Sequence, residues 1–352
     1  MSLEDLRRKI DKVDEGILKL MNERAKIAIE IGRLKRRQGK DVYVPDREQT
    51  VYAHLIKRNK GPISAKALKA VYKEIMANSL ALEKPLCISY LGPQATFTHM
   101  AAREKFGAQS KYVPAGSIND CFTEVIKRRA DYGVVPIENS TEGVVNHTLD
   151  MFIDSDLVIC AEILSDISHY LLGSAPLKKI KKIYSNRQAI AQCREWLKNN
   201  LPKAKLIEVA STSEGARRAS RDKEAAAIAS KLAASIYNLK ILSERIEDVV
   251  GNVTRFLVIG KTLAKSTGRD KTSLMFSVKD RPGALYRMLK PFALNKINLT
   301  KIESRPSRRK AWDYIFFVDL EGHLMDKRVG KAIKELEKEC RYLKVLGSYP
   351  KG

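Results

Sequence analysis

The chain has 352 residues, 44% of them hydrophobic and 30% charged, a composition typical of globular proteins with about two to three domains. It has no apolar stretch of membrane-spanning length and no basic, apolar leader, so we expect a cytoplasmic location with no membrane partner. The five cysteines form no Cys-x-x-Cys pair and the five histidines show no ligand spacing. This argues against both a disulfide framework and a metal site.

The formal net charge of +24 is spread through every segment. It is compatible with nucleic acid, with anionic small-molecule substrates, or with a lysine-rich surface kept for solubility. Because the charge is not gathered in one arm or helix, we expect no nucleic-acid partner.

A long amphipathic helix is predicted for residues 3–38, because apolar residues recur along it every three or four positions. At 1.5 Å per residue it is about 50 Å long, which predicts packing against a second chain in a helical dimer. Arg24 and Lys35 lie on nearly the same face, whereas Arg7 lies about 100° away and would serve a partner's site. The alternative for these cations is an ordinary position at the edge of the apolar stripe.

Two further helices are predicted at Asp46–Asn59 and Ser64–Glu83, with Ser79 and Glu83 adjacent on one face. The three helices resemble the all-helical chorismate mutases in these motifs: Leu6-Arg7-Arg8-Lys9-Ile10-Asp11, Asn22-Glu23-Arg24, Gly32-Arg33-Leu34-Lys35, Pro45-Asp46-Arg47-Glu48 and Asn78-Ser79. The resemblance implies an intertwined dimer with enclosed active sites. It also implies these contacts to chorismate: Arg24 and the partner's Arg7 at the carboxylates, Lys35 at the ether oxygen, Glu48 at the ring hydroxyl, and Arg47 and Ser79 in support.

The reaction of this family is a pericyclic rearrangement of chorismate. It needs no nucleophile, only a compact substrate conformer and hydrogen-bond donors where negative charge develops. Two positions depart from the mutase pattern. Val44 stands where some relatives have Asp, and Glu83 where some have Gln beside the ether oxygen. Glu83 donates a hydrogen bond only when protonated, so we expect a catalytic role for Glu83 and mutase activity that falls as pH rises.

After a boundary at Lys84-Pro85 the pattern changes to alternating strands and helices, typical of an open α/β fold. Tyr132–Ile137 is a predicted buried strand, and Glu138–Ser140 a polar loop where strand ends meet ligand. Capping uses the same residue types, so the loop alone leaves both roles open. Other predicted strands are Leu86–Leu91, Lys111–Val113, Leu157–Ile163, His169–Gly173, Ile180–Tyr184, Lys205–Val209 and Phe256–Ile259, with helices from Thr98, at Ile118–Arg129 and at Val144–Ile153.

This segment resembles prephenate dehydratase in these motifs, which occur in the family's order: Tyr90-Leu91-Gly92-Pro93, Thr96-Phe97-Thr98, Val135-Pro136-Ile137-Glu138-Asn139-Ser140, Ser211-Thr212-Ser213 and Asn252-Val253-Thr254-Arg255-Phe256-Leu257. The resemblance implies a two-lobed fold like type II periplasmic binding proteins, and conversion of prephenate to phenylpyruvate. No Gly-rich phosphate-binding motif is present, so we expect no cofactor.

The resemblance makes Thr254 the proton donor or its relay, and Arg255 either a carboxylate ligand or a structural salt bridge. The substrate contacts that it implies are Glu138, Asn139, Ser140, Thr96, Ser185, Gln192, Ser211 and Thr212. Asn186 and Arg187 replace a His-Pro pair of the family, which excludes an imidazole there and weakens the case for Ser185 and Gln192.

A polar linker is predicted at Thr262–Lys271, followed by strand, helix, strand, strand, helix and strand, the order of a ferredoxin-like fold. Its predicted elements are Thr272–Val278, Ala284–Leu294, Asn298–Ser304, Ala311–Leu320, Lys327–Cys340 and Leu343–Gly347. Two motifs resemble the amino-acid-binding ACT domain: Asp280-Arg281-Pro282-Gly283-Ala284-Leu285 and Glu303-Ser304-Arg305-Pro306. The resemblance implies phenylalanine as an effector at both motifs. A tight turn before a helix explains only the first.

Together these features predict a multidomain protein: an all-α chorismate mutase domain (1–84), an α/β two-lobed dehydratase domain (85–262) and an α+β ferredoxin-like ACT domain (271–350). The expected function is a bifunctional enzyme of phenylalanine biosynthesis, acting on chorismate and prephenate, inhibited by phenylalanine and at least dimeric. The alternative from another class is a ligand sensor that keeps the two-lobed fold without turnover.

Overall fold

The computed structural model describes residues 2–39, 43, 45–278, 281–306 and 314–352. Contacts divide the chain into two compact units. One comprises Met1–Leu86 with Lys105–Lys111, and the other Cys87–Glu104 with Tyr112–Gly352. Among the helices described, none combines the length and the apolar character that a membrane span requires.

The first unit contains the three predicted helices, α1 (Leu3–Arg37), α2 (Pro45–Arg58) and α3 (Ala65–Glu83). Ser2 begins α1 with a capping box, and the Ser64 hydroxyl accepts a hydrogen bond at the start of α3. Gly32 is buried where α3 crosses α1, and a Cβ there would lie 2.7 Å from the Glu83 Cα. The glycine therefore permits the close approach of the two helices.

Most of the apolar face of α1 is exposed among the described residues of the first unit. Leu3, Ile10, Val13, Leu18 and Leu20 are each at least 60% exposed. The buried residues of this 35-residue helix are Ala28 and Gly32. An apolar stripe of this length exposed to water is typical of a protein interface.

The second unit begins with two α/β sheets. The first has the strand order β2-β1-β3-β11-β5, with β4 beside β3, and the second β10-β6-β9-β7-β8. The strands are β1 (Cys87–Leu91), β2 (Lys111–Ala115), β3 (Tyr132–Asn139), β4 (Gly143–Val144), β5 (Val158–Asp166), β6 (Tyr170–Gly173), β7 (Lys182–Ser185), β8 (Lys205–Glu208), β9 (Ala225–Ala229), β10 (Lys240–Ser243) and β11 (Val253–Gly260). The helices are α4 (Phe97–Phe106), α5 (Ile118–Ile126), α6 (Asn146–Asp154), α7 (Arg187–Gln192), α8 (Arg194–Asn200), α9 (Thr212–Ala219) and α10 (Lys231–Ile236).

The chain passes between the two sheets twice, from β5 to β6 and from β10 back to β11. The first sheet contributes to a core with Phe122 and Phe152 that also includes Tyr349 and other C-terminal residues, whereas the second sheet contributes to two clusters of its own, one with Leu171 and one with Ala227. Separate cores joined by two crossover segments make the two lobes that the strand and helix pattern predicts.

Several predicted boundaries are wrong in this unit. Strand β3 continues through Glu138 and Asn139, which pair with Arg255 and Thr254 of β11, so only Ser140 lies in the turn. Helix α5 ends at Ile126 and not at residue 129, because Arg128 has a left-handed backbone with φ of 58°. Strands β9 and β10 are absent from the sequence prediction.

The remaining residues form a sheet with the order β13-β14-β12-β15 and two helices. The elements are β12 (Asp270–Val278), α11 (Ala284–Leu294), β13 (Leu299–Pro306), β14 (Tyr314–Glu321), α12 (Lys327–Glu339) and β15 (Cys340–Pro350). The predicted order of elements is confirmed. The predicted linker extends two residues too far toward the C-terminus, since Asp270 and Lys271 already belong to β12. Residues 311–313 of the predicted third strand lie outside the described residues.

Candidate active sites

In the helical unit, two cations of α1 contact two polar residues of α3. The Arg24 guanidinium donates hydrogen bonds to the Ser79 hydroxyl and, over 3.5 Å, to the Ile75 carbonyl. The Lys35 Nζ lies 2.8 Å from the Glu83 Oε2. Arg24 and Lys35 are three turns apart on α1, and Ser79 and Glu83 one turn apart on α3, so the four predicted residues line one helix interface as their spacing requires.

The other predicted mutase residues lie apart from this interface. Arg7 is exposed and 17 residues before Arg24, about 25 Å away along the helix, so it serves no site with Arg24 in the same chain. Arg47 is exposed on α2. Val44 lies outside the described residues.

Glu48 has two partners that sequence reasoning missed. Its Oε2 lies 2.9 Å from the Nζ of Lys105, a residue of the first unit near the end of α4, and its Oε1 accepts a hydrogen bond from the Tyr52 hydroxyl at 3.2 Å. Burial, together with the Glu48 charge, raises the pKa of Tyr52, so the phenol stays protonated and donates. Tyr52 lies one helical turn from Glu48, a detectable signal, but Lys105 is 57 positions away.

In the two-lobed unit, Thr254 lies at the centre of a hydrogen-bond network on neighbouring strands. Thr254 of β11 is paired with Asn139 of β3, and the Asn139 Nδ2 lies 2.7 Å from the Thr254 Oγ1. The same nitrogen lies 2.7 Å from the Asn252 Oδ1. The Ser140 hydroxyl accepts from the Val253 amide at 2.9 Å. Antiparallel pairing over 115 positions thus brings together Asn139, Ser140 and Thr254, as the motifs imply.

A cavity of about 630 Å³ lies beside this network. Gln192 and Asn252 belong both to the network and to the cavity wall, and Arg187 adds a cation. The remaining lining residues are Thr141, Glu142, Gln188, Ala191, Glu247, Asp248 and Val249. The cavity therefore offers amide groups, one guanidinium and three carboxylates, and Arg187 is the cation on its wall that a substrate carboxylate would contact.

Four other predicted dehydratase residues have structural positions: Thr96, Ser185, Ser211 and Thr212. The Thr96 hydroxyl donates to the Leu91 carbonyl and the buried Ser185 hydroxyl to the Ile228 carbonyl, at 3.1 and 2.8 Å. Ser211 caps α9, and Thr212 is buried at the first position of that helix. These contacts are structural, and a role of the four residues in binding substrate stays a prediction.

Arg255 forms a buried ionic cluster with strands of the C-terminal sheet. Its guanidinium donates to Glu162 (2.7 Å), Asp319 (2.5 Å) and the Tyr349 hydroxyl (2.9 Å). Lys271 also contacts Glu162, at 2.7 Å. Of the two roles predicted for Arg255, this geometry corresponds to the structural salt bridge.

The predicted effector motifs lie in the C-terminal domain. Gly283 has φ of 75° and precedes α11, which begins with Ala284 and the half-exposed Leu285. Glu303, Ser304, Arg305 and Pro306 end β13. The Arg305 Nη1 lies 3.3 Å from the Asp150 Oδ1 on α6, and Asp280 of the first motif lies outside the described residues. Within the described part of the chain, no group of three or more His, Cys, Asp or Glu side chains is placed to hold a metal ion.

The helical unit, the two lobes and the C-terminal sheet define a fused enzyme with a regulatory domain. Family models match each part: chorismate mutase type II at residues 6–84, prephenate dehydratase at 88–263 and the ACT domain at 272–338. The chain belongs to the family of bifunctional chorismate mutase/prephenate dehydratases. It is 52% identical to the family member from Aquifex aeolicus, covering 99% of this chain and 98% of the relative.

The Escherichia coli member is 31% identical, over 98% of this chain and 95% of the relative. Among solved structures, prephenate dehydratase from Arthrobacter aurescens in complex with L-Phe superposes with a TM-score of 0.70. It is 36% identical, over 76% of this chain and 90% of that chain. The relatives therefore cover all three parts of the sequence.

Proposed function

We propose that the helical domain converts chorismate to prephenate and that the two-lobed domain converts prephenate to phenylpyruvate, through the residues described below. The main observation that supports the proposal is the hydrogen-bond network around Thr254. A hydroxyl, two side-chain amides and a cavity wall lie together there, and these groups support protonation of a leaving hydroxyl at this position.

In the mutase reaction, Arg24 and the partner's Arg7 bind the two carboxylates of chorismate. Lys35 donates to the ether oxygen as its bond to carbon breaks, and Glu83 fixes the position of the Lys35 amine by the 2.8 Å ion pair. Glu48 accepts from the ring hydroxyl, with Arg47 and Ser79 in support. Preorganised donors at the oxygen that gains charge supply the main stabilisation of the transition state.

In the dehydratase reaction, the bond between the ring and its carboxylate breaks to release carbon dioxide, and the ring becomes aromatic as hydroxide departs. A proton passed through the Thr254 hydroxyl converts the hydroxide to water. The Thr254 oxygen accepts from Asn139, so its own proton is directed elsewhere and is available for the leaving group. Arg187 and Gln192, on the cavity wall, bind a carboxylate of prephenate.

Phenylalanine binds at the ACT domain. The left-handed Gly283 lets the backbone approach the ligand, the first amides of α11 receive its carboxylate, and the exposed Leu285 provides an apolar contact for its ring. Arg305 is joined to Asp150 of the two-lobed domain, so binding at Glu303–Pro306 acts directly on that contact. An Arg305→Ala variant should keep turnover and lose sensitivity to phenylalanine.

The protein acts in the cytoplasm as a dimer formed through α1. The exposed stripe of α1 and the separation of Arg7 from Arg24 support this, because each mutase site is incomplete within one chain. An Arg7→Ala variant mixed with a Lys35→Ala variant should regain mutase activity, since a mixed dimer has one site with both residues intact. Mixing that restores nothing would contradict a shared site.

Two substitutions, one in each domain, test the proposal as a whole. Thr254→Val should abolish phenylpyruvate formation from prephenate and leave the mutase rate unchanged, whereas Lys35→Ala should do the reverse. Thr254→Ser keeps the hydroxyl and should retain part of the dehydratase rate. A Thr254→Val variant with the wild-type dehydratase rate would exclude the proton route described here.

A further inference from the structure

The two crossover segments between the lobes are hydrogen-bonded to each other at His169. The Ile167 amide donates to the Asn252 carbonyl at 2.8 Å, and the Ile246 amide to the His169 carbonyl at 2.9 Å. The His169 amide donates to the Glu247 carboxylate at 2.8 Å. The His169 side chain is 3% exposed and its ring meets the Phe97 ring edge to face. Its position beside the cavity is therefore fixed from several sides.

The direction of every hydrogen bond near Thr254 follows from two backbone amides. The Asn139 Oδ1 accepts from the amides of Thr141 (3.0 Å) and Glu142 (3.1 Å), which can only donate. The opposite end of the Asn139 side chain is therefore its NH2 group, and its two protons go to Thr254 and Asn252 at 2.7 Å each.

The hydrogen bonds continue from Asn252 to residues of the second lobe. The Asn252 oxygen accepts from Asn139, so the Asn252 NH2 group faces the Gln192 Oε1, at 3.5 Å. That oxygen lies 2.7 Å from the His169 Nε2. An amide oxygen can only accept, so His169 must carry its proton on Nε2. The Gln192 NH2 group is then turned away from His169 and Asn252, and Gln192 lines the cavity.

The surroundings of His169 favour the neutral ring. Its Nδ1 is buried with no partner among the described residues, and a proton there would be an unpaired buried donor. Burial lowers the pKa of His169, although Gln192 and Glu247 act in the opposite direction. With the proton on Nδ1 instead, the bare Nε2 would require the Gln192 amide to turn over, and its oxygen would then face a substrate carboxylate.

We propose that His169 is a positioning residue of the dehydratase, which holds the Gln192 carbonyl through its Nε2–H so that the Gln192 NH2 group faces the cavity. The ligand of that NH2 group is a carboxylate of the substrate. This step rests on the proposed function of the cavity. The orientation of Gln192 does not, and it can be measured in the absence of turnover.

Kinetics of the full-length protein test the proposal. His169→Leu removes the donor and should raise KM for prephenate about ten-fold with kcat changed far less, as expected for losing one hydrogen bond to a charged group. His169→Gln keeps an N–H near the Nε2 position and should restore KM to within about three-fold of wild type. The control is His99→Leu, an equally buried imidazole whose Nδ1 accepts from Ala95 and which lies outside this network. Urea unfolding followed by tryptophan fluorescence reports whether the second unit is folded in each variant.

A double-mutant cycle separates positioning from independent action. In a Gln192→Leu background, His169→Leu should raise KM no further, because its effect passes through Gln192. Full additivity, an unchanged KM in His169→Leu, or a failure of His169→Gln to restore KM would each overturn the proposal. A loss confined to kcat would also overturn it, because it would place His169 in the proton transfer.

A spectroscopic measurement tests the proposal even if the protein does not turn over prephenate. In protein labelled with ¹⁵N-histidine, the signals that vanish in His169→Gln should be those of a neutral Nε2–H ring between pH 6 and 8. A ring protonated on Nδ1, or on both nitrogens, would overturn the proposed orientation of Gln192. Absence of prephenate turnover in the wild type would instead count against the proposed function.

Discussion

Replacing Arg255 by leucine should destabilise the second unit strongly. The Arg255 side chain is 11% exposed and donates to Glu162, Asp319 and Tyr349. These hydrogen bonds connect β11 to β5 and to β14 and β15 of the C-terminal sheet. Burial disfavours its charge, but Tyr349, Asp319 and Glu162 together raise the pKa of Arg255, so the guanidinium is charged at every relevant pH. Its loss leaves two buried carboxylates with fewer partners.

The expected cost is about 3–5 kcal/mol, the range for removing one partner of a buried ion pair. With an m-value of roughly 3 kcal/mol per molar urea, the unfolding midpoint of this unit should fall by about 1 M or more. Lysine at the same position keeps the charge but not the forked geometry, so Arg255→Lys should lie between leucine and the wild type.

The matched control is Arg217→Leu, because Arg217 pairs with Glu214 on the surface and its side chain is 45% exposed. Its loss should cost far less than that of Arg255, because solvent screens an exposed ion pair. The assay is urea unfolding followed by the fluorescence of the two tryptophans, Trp196 and Trp312, with the mutase rate as a check on the first unit. A midpoint shift in Arg255→Leu no larger than in Arg217→Leu would refute the reasoning.

Three further predictions concern helix packing and pH. Gly32→Ala should lower mutase activity and stability, since its Cβ would meet the Glu83 backbone, whereas Gly16→Ala, whose Cβ would have no atom of the described residues within 4 Å, should stabilise α1 by up to about 1 kcal/mol. Glu83 is the carboxylate of the ion pair with Lys35, so Glu83→Gln should lower the mutase rate by releasing the Lys35 amine; a wild-type rate that falls as pH rises, with a flatter profile in Glu83→Gln, would instead support the protonated donor expected from the sequence. Burial, together with the charge of Arg103, lowers the pKa of His99 to about 4 in the folded protein, whereas in the unfolded chain the pKa is about 6.5. Between these two values the unfolded chain binds a proton at His99 and the folded protein does not. Stability should therefore fall between pH 6.5 and 4.5 by about 1–3 kcal/mol, and this slope, measured by urea unfolding, should shrink in His99→Leu.

The local elements with strong periodicity were predictable from the sequence. Helix α1 occurs at Leu3–Arg37 because its apolar spacing and its Ser2 cap are local signals. The order of elements in the C-terminal domain follows from alternation and turn residues in the same way. Where the signal is local, the sequence suffices.

Strand β9 shows what local signals miss. Its residues, Ala225–Ala229, have the composition of a helix, since alanine is the strongest helix former. They form a strand because all five are buried between β6 and β7 under α9, where small side chains admit the helix closely. At Gly215 of α9, a Cβ would lie 2.7 Å from the Tyr184 carbonyl oxygen. Tertiary packing decides the conformation here.

The candidate sites divide in the same way. Arg24 and Lys35 share a face because helical geometry is regular, so their meeting with α3 was predictable. Lys105 reaches Glu48, and His169 reaches Gln192, only through the tertiary fold, and neither lysine nor histidine has a sequence signal for such a contact. The two roles left open for Arg255 are likewise distinguishable only once Asp319 is in place, 64 positions away.

The central claim is that one chain carries both reactions and a phenylalanine response. The most direct measurement supplies purified protein with chorismate alone and follows the products with and without phenylalanine. Phenylpyruvate is the expected product, and it should no longer form when phenylalanine is added. Prephenate that accumulates without phenylalanine would contradict the roles of Thr254 and its network, and unchanged chorismate would favour a ligand sensor that retains the two-lobed fold.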